Sequence, residues 1–279
     1  MRGLLSRFGG EQAGAKTRPP MGRMIAFYGA KGGVGATTIA INTAIALHSE
    51  LDRRVALVDA VLQFGDHRVF LDLGNDRKSI SDIMSAPTVD ADLLQSILVK
   101  HDSGVDLLLA PTSPEEADLV HEDRLSEVLT HLRSMYDYVV IDVDKRLNDL
   151  SLSILDHADE VRIVMTADLS CLKNVRLALE ALRRIGFDAK RLKLVLNRSN
   201  AFTGISVEAA ESALKRTFET KITNEYRIAI SAQNTGNPFA HAKPDAPLSR
   251  AIAELAKSID AVAAAEATPA ALPAKAAAR

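Results

Sequence analysis

Short apolar runs rich in β-branched residues recur along the chain, and stretches with a helical spacing of apolar residues lie between them. The runs are continuous rather than alternating, which is typical of strands that are covered on both faces of a sheet. Six runs therefore predict buried strands: residues 25–28, 55–58, 105–109, 138–141, 161–165 and 192–196.

Two of the intervening stretches carry an apolar stripe with a helical period. The stripes consist of Leu172, Val175, Leu179 and Leu182 in one stretch and of Leu248, Ile252, Leu255 and Ile259 in the other. Alternation of strands and helices implies right-handed β-α-β crossovers. We therefore predict an α/β fold, with a doubly wound, mainly parallel sheet and helices on both faces, in one domain over residues 23–262.

The two ends of the chain have different patterns. In residues 1–22, Met1, Leu4, Leu5 and Phe8 share one helical face, which predicts a basic amphipathic segment followed by a linker. Leu4, Leu5 and Phe8 would then contact a membrane surface. The alternative is a frayed tail, because so short a helix is unstable in water. Residues 263–279 are rich in Ala and Pro and predict a disordered tail.

The composition narrows the class of protein. The 279 residues are 47% hydrophobic, enough for a substantial core, and the net charge of −2 argues against a strongly basic nucleic-acid binder. Cys171 is the only cysteine, so no internal disulfide forms and the chain suits a reducing cytoplasm. No apolar run reaches about 18 residues, so we predict no membrane-spanning helix. The histidines lack a zinc-type spacing, so we predict no metal site built by side chains alone.

A glycine-rich segment, residues 29–38, joins the first predicted strand to a stretch with helical spacing. Glycines let successive backbone N–H groups point inward, and the helix start adds partial positive charge, so the segment predicts a cradle for phosphate. The alternative is a tight strand-to-helix connection without a ligand. The residues predicted to bind a nucleotide here are Lys31, Gly32, Gly33, Val34, Gly35, Ala36, Thr37 and Thr38.

Polar residues stand at the ends of three further predicted strands. Asp59 ends the second strand, Asp142 ends the fourth, and Asn197 with Arg198 follows the sixth. In open α/β sheets the ligand lies at the carboxyl ends of the strands. We therefore expect these side chains to meet the glycine-rich segment at one edge of the sheet.

Several motifs resemble those of one family. Residues 31–35, Lys-Gly-Gly-Val-Gly, resemble the deviant Walker A signature of the MinD/ParA superfamily of P-loop ATPases, and the similarity covers roughly residues 24–260. Residues 58–66 are similar to the Asp-x-Asp-x-Gln-Phe-Gly-Asp segment of the CpaE/TadZ branch, whose members localise Tad-type pilus assembly. Residues 109–111 and 195–198 fit the same branch.

The resemblance implies ATP and Mg²⁺ as cofactors and a role for each matching residue. Thr37 would bind Mg²⁺ through its hydroxyl, Asp142 would hold the ion through water, and Thr38 would contact the α-phosphate. Lys31 would reach across a homodimer to the partner's nucleotide, and Asn197 would contact the adenine. These roles agree with the chemistry, because a triphosphate with Mg²⁺ needs backbone donors, a hydroxyl ligand, a carboxylate and a mobile cation.

The chain departs from the family pattern at positions that serve hydrolysis. Ala36 stands where a P-loop lysine would neutralise the β- and γ-phosphates, and Val61 stands where a second aspartate would orient the attacking water. Asp59 and Lys31 remain as candidate catalytic residues. Residues 143–145, Val-Asp-Lys, also replace the small residue and proline that usually follow the Walker B carboxylate. We therefore predict that ATP binds and that hydrolysis is slow or absent.

These observations predict an ATP-dependent homodimer that positions a membrane-associated assembly, of the pilus or secretion type, in a bacterial cell. Its partners would be a second copy of the chain, the membrane surface and proteins of the pilus or division machinery. It would lie in the cytoplasm, peripherally associated with the membrane and placed at a cell pole.

Three alternatives stay open. One is an active MinD/ParA-type ATPase switch in cell division or cargo positioning, and another is a structural dimer or scaffold that needs no nucleotide. The third is a DNA-binding positioning protein that uses Arg183, Arg184 and Arg191. For these arginines we favour the interpretation that they complement a helix C-terminus.

Overall fold

The structure is a computed structural model that describes residues 21–267. Within this range eight strands form one sheet. The strands are β1 (Arg23–Tyr28), β2 (Val55–Ala60), β3 (Val99–Lys100), β4 (Asp106–Leu108), β5 (Tyr138–Val143), β6 (Glu160–Met165), β7 (Leu192–Leu196) and β8 (Phe218–Lys221).

Helices connect most of the strands. They are α1 (Ala36–Ser49), α2 (His67–Phe70), α3 (Ser81–Met84), α4 (Ala91–Ile97), α5 (Pro114–Ala117), α6 (Glu122–Met135), α7 (Asp149–His157), α8 (Leu169–Arg184), α9 (Val207–Leu214), α10 (Tyr226–Thr235), α11 (Phe239–Ala242) and α12 (Pro247–Ala267). A short 3₁₀ helix, Ala189–Arg191, precedes β7.

The strand order is β3-β4-β2-β5-β1-β6-β7-β8, and every neighbouring pair is parallel except β3 with β4. Strands β2 to β5 lie on one side of β1, and strands β6 to β8 lie on its other side. The predicted doubly wound α/β fold is therefore confirmed. This change of direction beside β1 leaves a crevice outside the carboxyl ends of the central strands, where α/β sheets bind ligands.

The core lies on both faces of the central strands. Residues 24–28 of β1 and 55–60 of β2 are all buried, which explains why their sequences read as continuous apolar runs. The predicted stripe of α12 is buried in full, whereas in α8 Val175 and Leu182 are buried and Leu172 and Leu179 only half-buried. The buried face of α8 is completed instead by Cys171 and Ala178.

Two strands had no counterpart among the predicted ones. They are the edge strands β3 and β8, which are short and carry exposed charged residues, so they lack the apolar run of a central strand.

Several predictions concern the ends of the chain. The proposed membrane contacts Leu4, Leu5 and Phe8 lie outside the described residues. Helix α12 extends through Ala267, so it includes the first residues of the predicted tail, and residues 268–279 lie outside the described range. Among residues 21–267 no helix is both long and apolar enough to cross a bilayer.

Candidate functional site

A cavity of about 700 Å³ lies at the carboxyl ends of the central strands. The loop after β1, the end of β5, the end of β7 and the start of α10 all contribute to its wall. The sequence-predicted residues that line it are Lys31, Gly32, Gly33, Val34, Gly35, Ala36, Thr37, Thr38, Asp142, Asn197 and Arg198. The fold thus brings these residues together, as expected from their positions after parallel strands.

Two glycines give the loop its shape. Gly33 has φ of +78° and Gly35 has φ of +93°, a region that other residues rarely adopt. A Cβ on Gly35 would lie 2.5 Å from Nδ2 of Asn197. Asn197 Nδ2 donates to the carbonyl of Val34 at 2.8 Å, and Arg198 donates to the carbonyl of Gly33 at 3.2 Å. The end of β7 therefore holds the loop closed around the helix start.

The first turn of α1 offers hydrogen-bond donors to the cavity. No side chain among the described residues caps this helix start at Gly35, so the first N–H groups are available to an anion. Thr37 makes no side-chain hydrogen bond with any described residue. Thr38 Oγ1 accepts from Nε2 of Gln233 at 2.7 Å, which leaves the threonine proton free to donate.

Lys31 is engaged within its own chain. Its Nζ lies 2.9 Å from Oδ1 of Asp168, which also caps α8 by accepting from the N–H of Cys171. Burial alone would raise the pKa of Asp168, but hydrogen bonds from Lys31 and from the Thr166 hydroxyl hold it well below its usual range. Asp168 is therefore ionised at neutral pH. Any movement of Lys31 towards another partner must first break this ion pair.

Asp59 and Asp142 meet because β2 and β5 are parallel neighbours with these two residues in register. Both are buried. Asp142 reaches the cavity wall, whereas Asp59 does not and lies beneath it. Asp59 Oδ1 accepts from the N–H of Val61 at 3.1 Å, and a Cβ on Gly65 would lie 2.5 Å from Asp59 Oδ2. The following loop is thus wrapped tightly around Asp59.

His67 is a functional candidate that the sequence analysis missed. It is fully buried, and its Nε2 lies 3.3 Å from Oδ2 of Asp142. One atom from each of Asp59, His67 and Asp142 lies within 4.8 Å of the others. Burial alone would lower the pKa of His67, but the two carboxylates raise it above its ordinary value. Burial raises the pKa of Asp59 to about 6, against the opposing charge of His67.

The donor set fits a hard divalent cation that arrives with a phosphate ligand. Asp142 lines the cavity, and the charged neighbour of its buried Oδ2 is His67, with Nε2 at 3.3 Å, so its carboxylate can serve as an oxygen ligand on the cavity side. The Thr37 hydroxyl is free of side-chain bonds within the described range. Oxygen ligands of this kind, few in number and completed by phosphate and water, are what Mg²⁺ prefers.

Two cationic residues after β5, Lys145 and Arg146, also line the cavity. In the sequence, residues 143–145 stand out only as a departure from a motif. The position of Lys145 and Arg146 just after a predicted strand was the signal that could have identified them. Asp144 accepts from both the N–H and the guanidinium of Arg146, at 3.2 and 2.9 Å, so these two residues form a closed turn.

The structure also shows what one arginine of the basic cluster does. Arg191 donates to the carbonyls of Leu155 at 2.6 Å and Asp156 at 2.7 Å, and also to that of Ala158, at the C-terminus of α7. Its guanidinium lies 4.4 Å from the ring centroid of Phe187. For Arg191 this agrees with the favoured interpretation, a cation that satisfies helix-end carbonyls.

Comparison with known families and proteins gives matches over most of the described range. A family model described as an AAA domain matches residues 22–194. The chromosome partitioning protein ParA of Myxococcus xanthus is 31% identical over 220 residues, which cover 76% of this chain and 72% of that protein.

Solved structures agree with the fold. A ParA family ATPase from Chlorobium tepidum superposes with a TM-score of 0.79 at 27% identity, covering 84% of this chain and 98% of that one. The septum site-determining protein MinD of Pyrococcus horikoshii, solved with Mg-ADP, gives a TM-score of 0.76 at 24% identity, covering 89% and 100%. At that identity the second comparison supports the fold alone.

Proposed function

We propose that this chain, which belongs to the MinD/ParA superfamily of P-loop ATPases, binds ATP with Mg²⁺ in the cavity and forms a nucleotide-controlled homodimer. ATPases of the MinD/ParA type act in positioning or partitioning. Such a protein acts by positioning other proteins, so its binding of nucleotide and partner matters more than its rate of ATP hydrolysis.

One observation carries the proposal: three kinds of phosphate and metal ligand converge on one cavity. The uncapped start of α1 supplies N–H donors, the Thr37 hydroxyl makes no side-chain hydrogen bond within the described chain, and the Asp142 carboxylate lines the cavity. Asn197 closes the loop at its other side. The MinD structure solved with Mg-ADP has the same fold, and we propose the same class of ligand for this chain.

Different residues would bind the phosphates, the Mg²⁺ ion and the base of the nucleotide. Backbone N–H groups at residues 36–38 would donate to phosphate oxygens, and the Thr38 proton would do the same. Thr37 and Asp142 would hold Mg²⁺, Asp142 through water. When bound, the ion neutralises charge on the β- and γ-phosphates. Asn197 Nδ2 donates to Val34 and Asn197 Oδ1 accepts from the N–H of Arg198, so the second N–H of the amide and one oxygen lone pair would contact the base.

Slow or absent hydrolysis is part of the proposal. Ala36 and Val61 both line the cavity, and neither side chain can neutralise a phosphate or accept a proton from water. Asp59 is buried beneath the wall and is held by the backbone of Val61, so it is poorly placed to orient water. A phosphate-release assay tests this point, and turnover at the rate of active relatives would contradict it.

The rim of the cavity favours a second copy of the chain as the partner. Phe64 is 84% exposed, Leu169 75% and Tyr226 65%, and Phe64 and Tyr226 line the cavity. Exposed apolar side chains around a concave polar site are typical of an interaction surface. Lys31 also lines the cavity, and its partner Asp168 directly precedes Leu169 in the chain. On dimerisation Lys31 would exchange its bond to Asp168 for one to the partner's nucleotide.

The finer assignment rests on residues 58–66, which are similar to the CpaE/TadZ branch. On this basis we propose that the dimer recruits a pilus-type assembly at the membrane, with Leu4, Leu5 and Phe8 as lipid contacts. Deleting residues 1–10 should abolish sedimentation with anionic liposomes. Unchanged sedimentation would contradict the membrane part of the proposal.

Molecular mass measured without nucleotide, with ADP and with ATP, each with Mg²⁺, tests the nucleotide-controlled dimer. We expect a monomer without nucleotide or with ADP and a dimer with ATP. Lys31→Ala and Leu169→Asp should remove the ATP-dependent dimer. Leu177→Asp, which is exposed on the same helix about two turns after Leu169, should not. A dimer that is independent of nucleotide would favour the structural scaffold instead.

A further inference from the structure

The phosphate cradle has an alanine, Ala36, where a cation is expected, but other cations lie near the cradle. Among the described residues, four cationic side chains line the cavity: Lys31, Lys145, Arg146 and Arg198. Three of them are engaged. Lys31 is paired with Asp168, Arg146 with Asp144, and Arg198 donates to the carbonyl of Gly33.

Lys145 is the remaining one. Its Nζ makes no hydrogen bond or ion pair with any residue in the range 21–267. The ammonium lies directly over the loop, because a Cβ built on Gly32 would be 3.9 Å from it. An unpaired cation beside a glycine-rich backbone, with the glycine leaving room for it, is suited to an anion held by the loop.

The backbone that carries Lys145 is well fixed. The hydroxyl of Tyr28, a buried residue at the end of β1, donates to the carbonyl of Lys145 at 3.0 Å. Burial and the charge of Asp144 raise the pKa of Tyr28 to about 12, so this donor keeps its proton at neutral pH. The bond between Asp144 and Arg146 closes the turn on the other side of Lys145. These bonds therefore fix the backbone position of Lys145, from which its side chain reaches the loop.

We propose that Lys145 supplies, from the same chain, the phosphate-binding cation that Ala36 lacks. Its ammonium would donate to phosphate oxygens at the Gly32 side of the cradle. This inference rests on the proposed function, since it requires a nucleotide in the cavity. It assigns different tasks to two lysines: Lys145 serves nucleotide binding in the monomer, and Lys31 serves the dimer.

Equilibrium binding of labelled ATP, ADP and AMP with Mg²⁺, at protein concentrations where the chain is monomeric, tests the role of Lys145. A charge-assisted hydrogen bond of the usual strength predicts that Lys145→Ala weakens ATP binding by about 10- to 100-fold. The loss should be smaller for AMP, which carries fewer phosphate charges. Lys145→Gln, which keeps most of the stem, should behave like Lys145→Ala.

Two further variants separate a binding role from a structural one. Lys190→Ala removes the same charge from an exposed position outside the cavity and should leave ATP affinity unchanged. Ala36→Lys places a cation at the usual position of a P-loop lysine. It should restore ATP binding to the Lys145→Ala protein and add less to the native protein, because both lysines serve the same phosphates.

Each outcome decides the question. Equal ATP affinity of the native and Lys145→Ala proteins would overturn the inference and leave the proposed function intact. An equal loss for ATP and AMP, or additive effects of Ala36→Lys and Lys145→Ala, would overturn it as well. A native protein that binds no ATP would overturn both the inference and the proposed function.

Discussion

At the scale of single residues, Gly35 shapes the glycine-rich loop and leaves room for Asn197, which closes that loop at the candidate nucleotide site. Replacing Gly35 by Ala would force a side chain into φ of +93° and place its Cβ 2.5 Å from Asn197 Nδ2. The backbone strain alone costs about 1–2 kcal/mol, and the displaced Asn197 would open the loop. We expect lower stability in urea denaturation and loss of ATP binding.

Gly186→Ala is the matched control for Gly35→Ala. Gly186 has φ of +79°, and a Cβ there would meet nothing within 4 Å. It should therefore show a similar loss of stability without loss of ATP binding. Equal ATP binding by the Gly35→Ala protein would contradict the role given to the bond between Asn197 and Val34.

His67 leads to a second prediction at this scale. In a His67→Leu protein, Asp59 and Asp142 would remain buried without the imidazole between them. Removing one partner of a buried charged group costs about 3–5 kcal/mol. Urea denaturation at neutral pH should show a loss of this order. Adding Asp59→Asn to the same protein should recover part of it, because one buried charge is then removed. No recovery would contradict the electrostatic explanation.

These residues also show how far the sequence leads at this scale. The cradle of residues 29–38 was predictable, because its glycines, its threonines and the helix that follows are contiguous in the chain. The position of Lys145 after a predicted strand placed it near the site, but its unpaired ammonium beside Gly32 was not predictable. His67 was not predictable at all, because only the fold of the chain after β2 brings it to Asp142.

At the scale of elements, one carboxylate of α12 adds polar bonds to the apolar packing of this helix. Asp260 accepts two bonds from Arg53, both of 2.9 Å, and one from the hydroxyl of Tyr138, also of 2.9 Å. The hydrogen bonds from Arg53 lower the pKa of Asp260 despite partial burial. A lowered pKa in the folded state stabilises the fold above the pKa of the unfolded chain, and this contribution is lost as the pH falls through the folded value.

Asp260→Asn should therefore destabilise the protein by about 1 kcal/mol at pH 7, a modest value because Arg53 is partly exposed. The difference from the native protein should shrink as the pH falls below about 4. Urea titrations across this range measure it. Glu254→Gln, which breaks an exposed pair with Lys257 on the same helix, is the control and should have a smaller effect. A constant difference at all pH values would contradict the assignment.

Burial of the elements also explains which strands could be predicted from the sequence. Central strands such as β1 and β5 are buried on both faces, so each appears in the sequence as a continuous apolar run. Edge strands β3 and β8 are short and mix apolar with charged residues, so their pattern does not differ from that of a loop. Their pairing depends on β4 and β7 beside them, which periodicity does not reveal.

At the scale of the whole molecule, nucleotide binding and folding are linked, because the cavity wall is assembled from segments far apart in sequence. The loop after β1, the end of β5 and residues 197–198 meet only in the folded chain. A ligand that binds only the folded state stabilises it by about 2.7 kcal/mol at a concentration of 100 times its dissociation constant. For a chain of this size each kcal/mol raises Tm by about 2–4 °C.

Thermal unfolding with ATP should therefore show a rise in Tm of about 5–10 °C at that saturation when Mg²⁺ is present. Removing Mg²⁺ with EDTA should reduce the rise, because the phosphate charges then face Asp142 without a counterion. In an Asp142→Asn protein the rise should depend much less on Mg²⁺, since the carboxylate that holds the ion is gone. A rise that is the same with and without Mg²⁺ in the native protein would contradict the role given to Thr37 and Asp142, and it would leave the backbone of residues 29–38 as the main source of affinity.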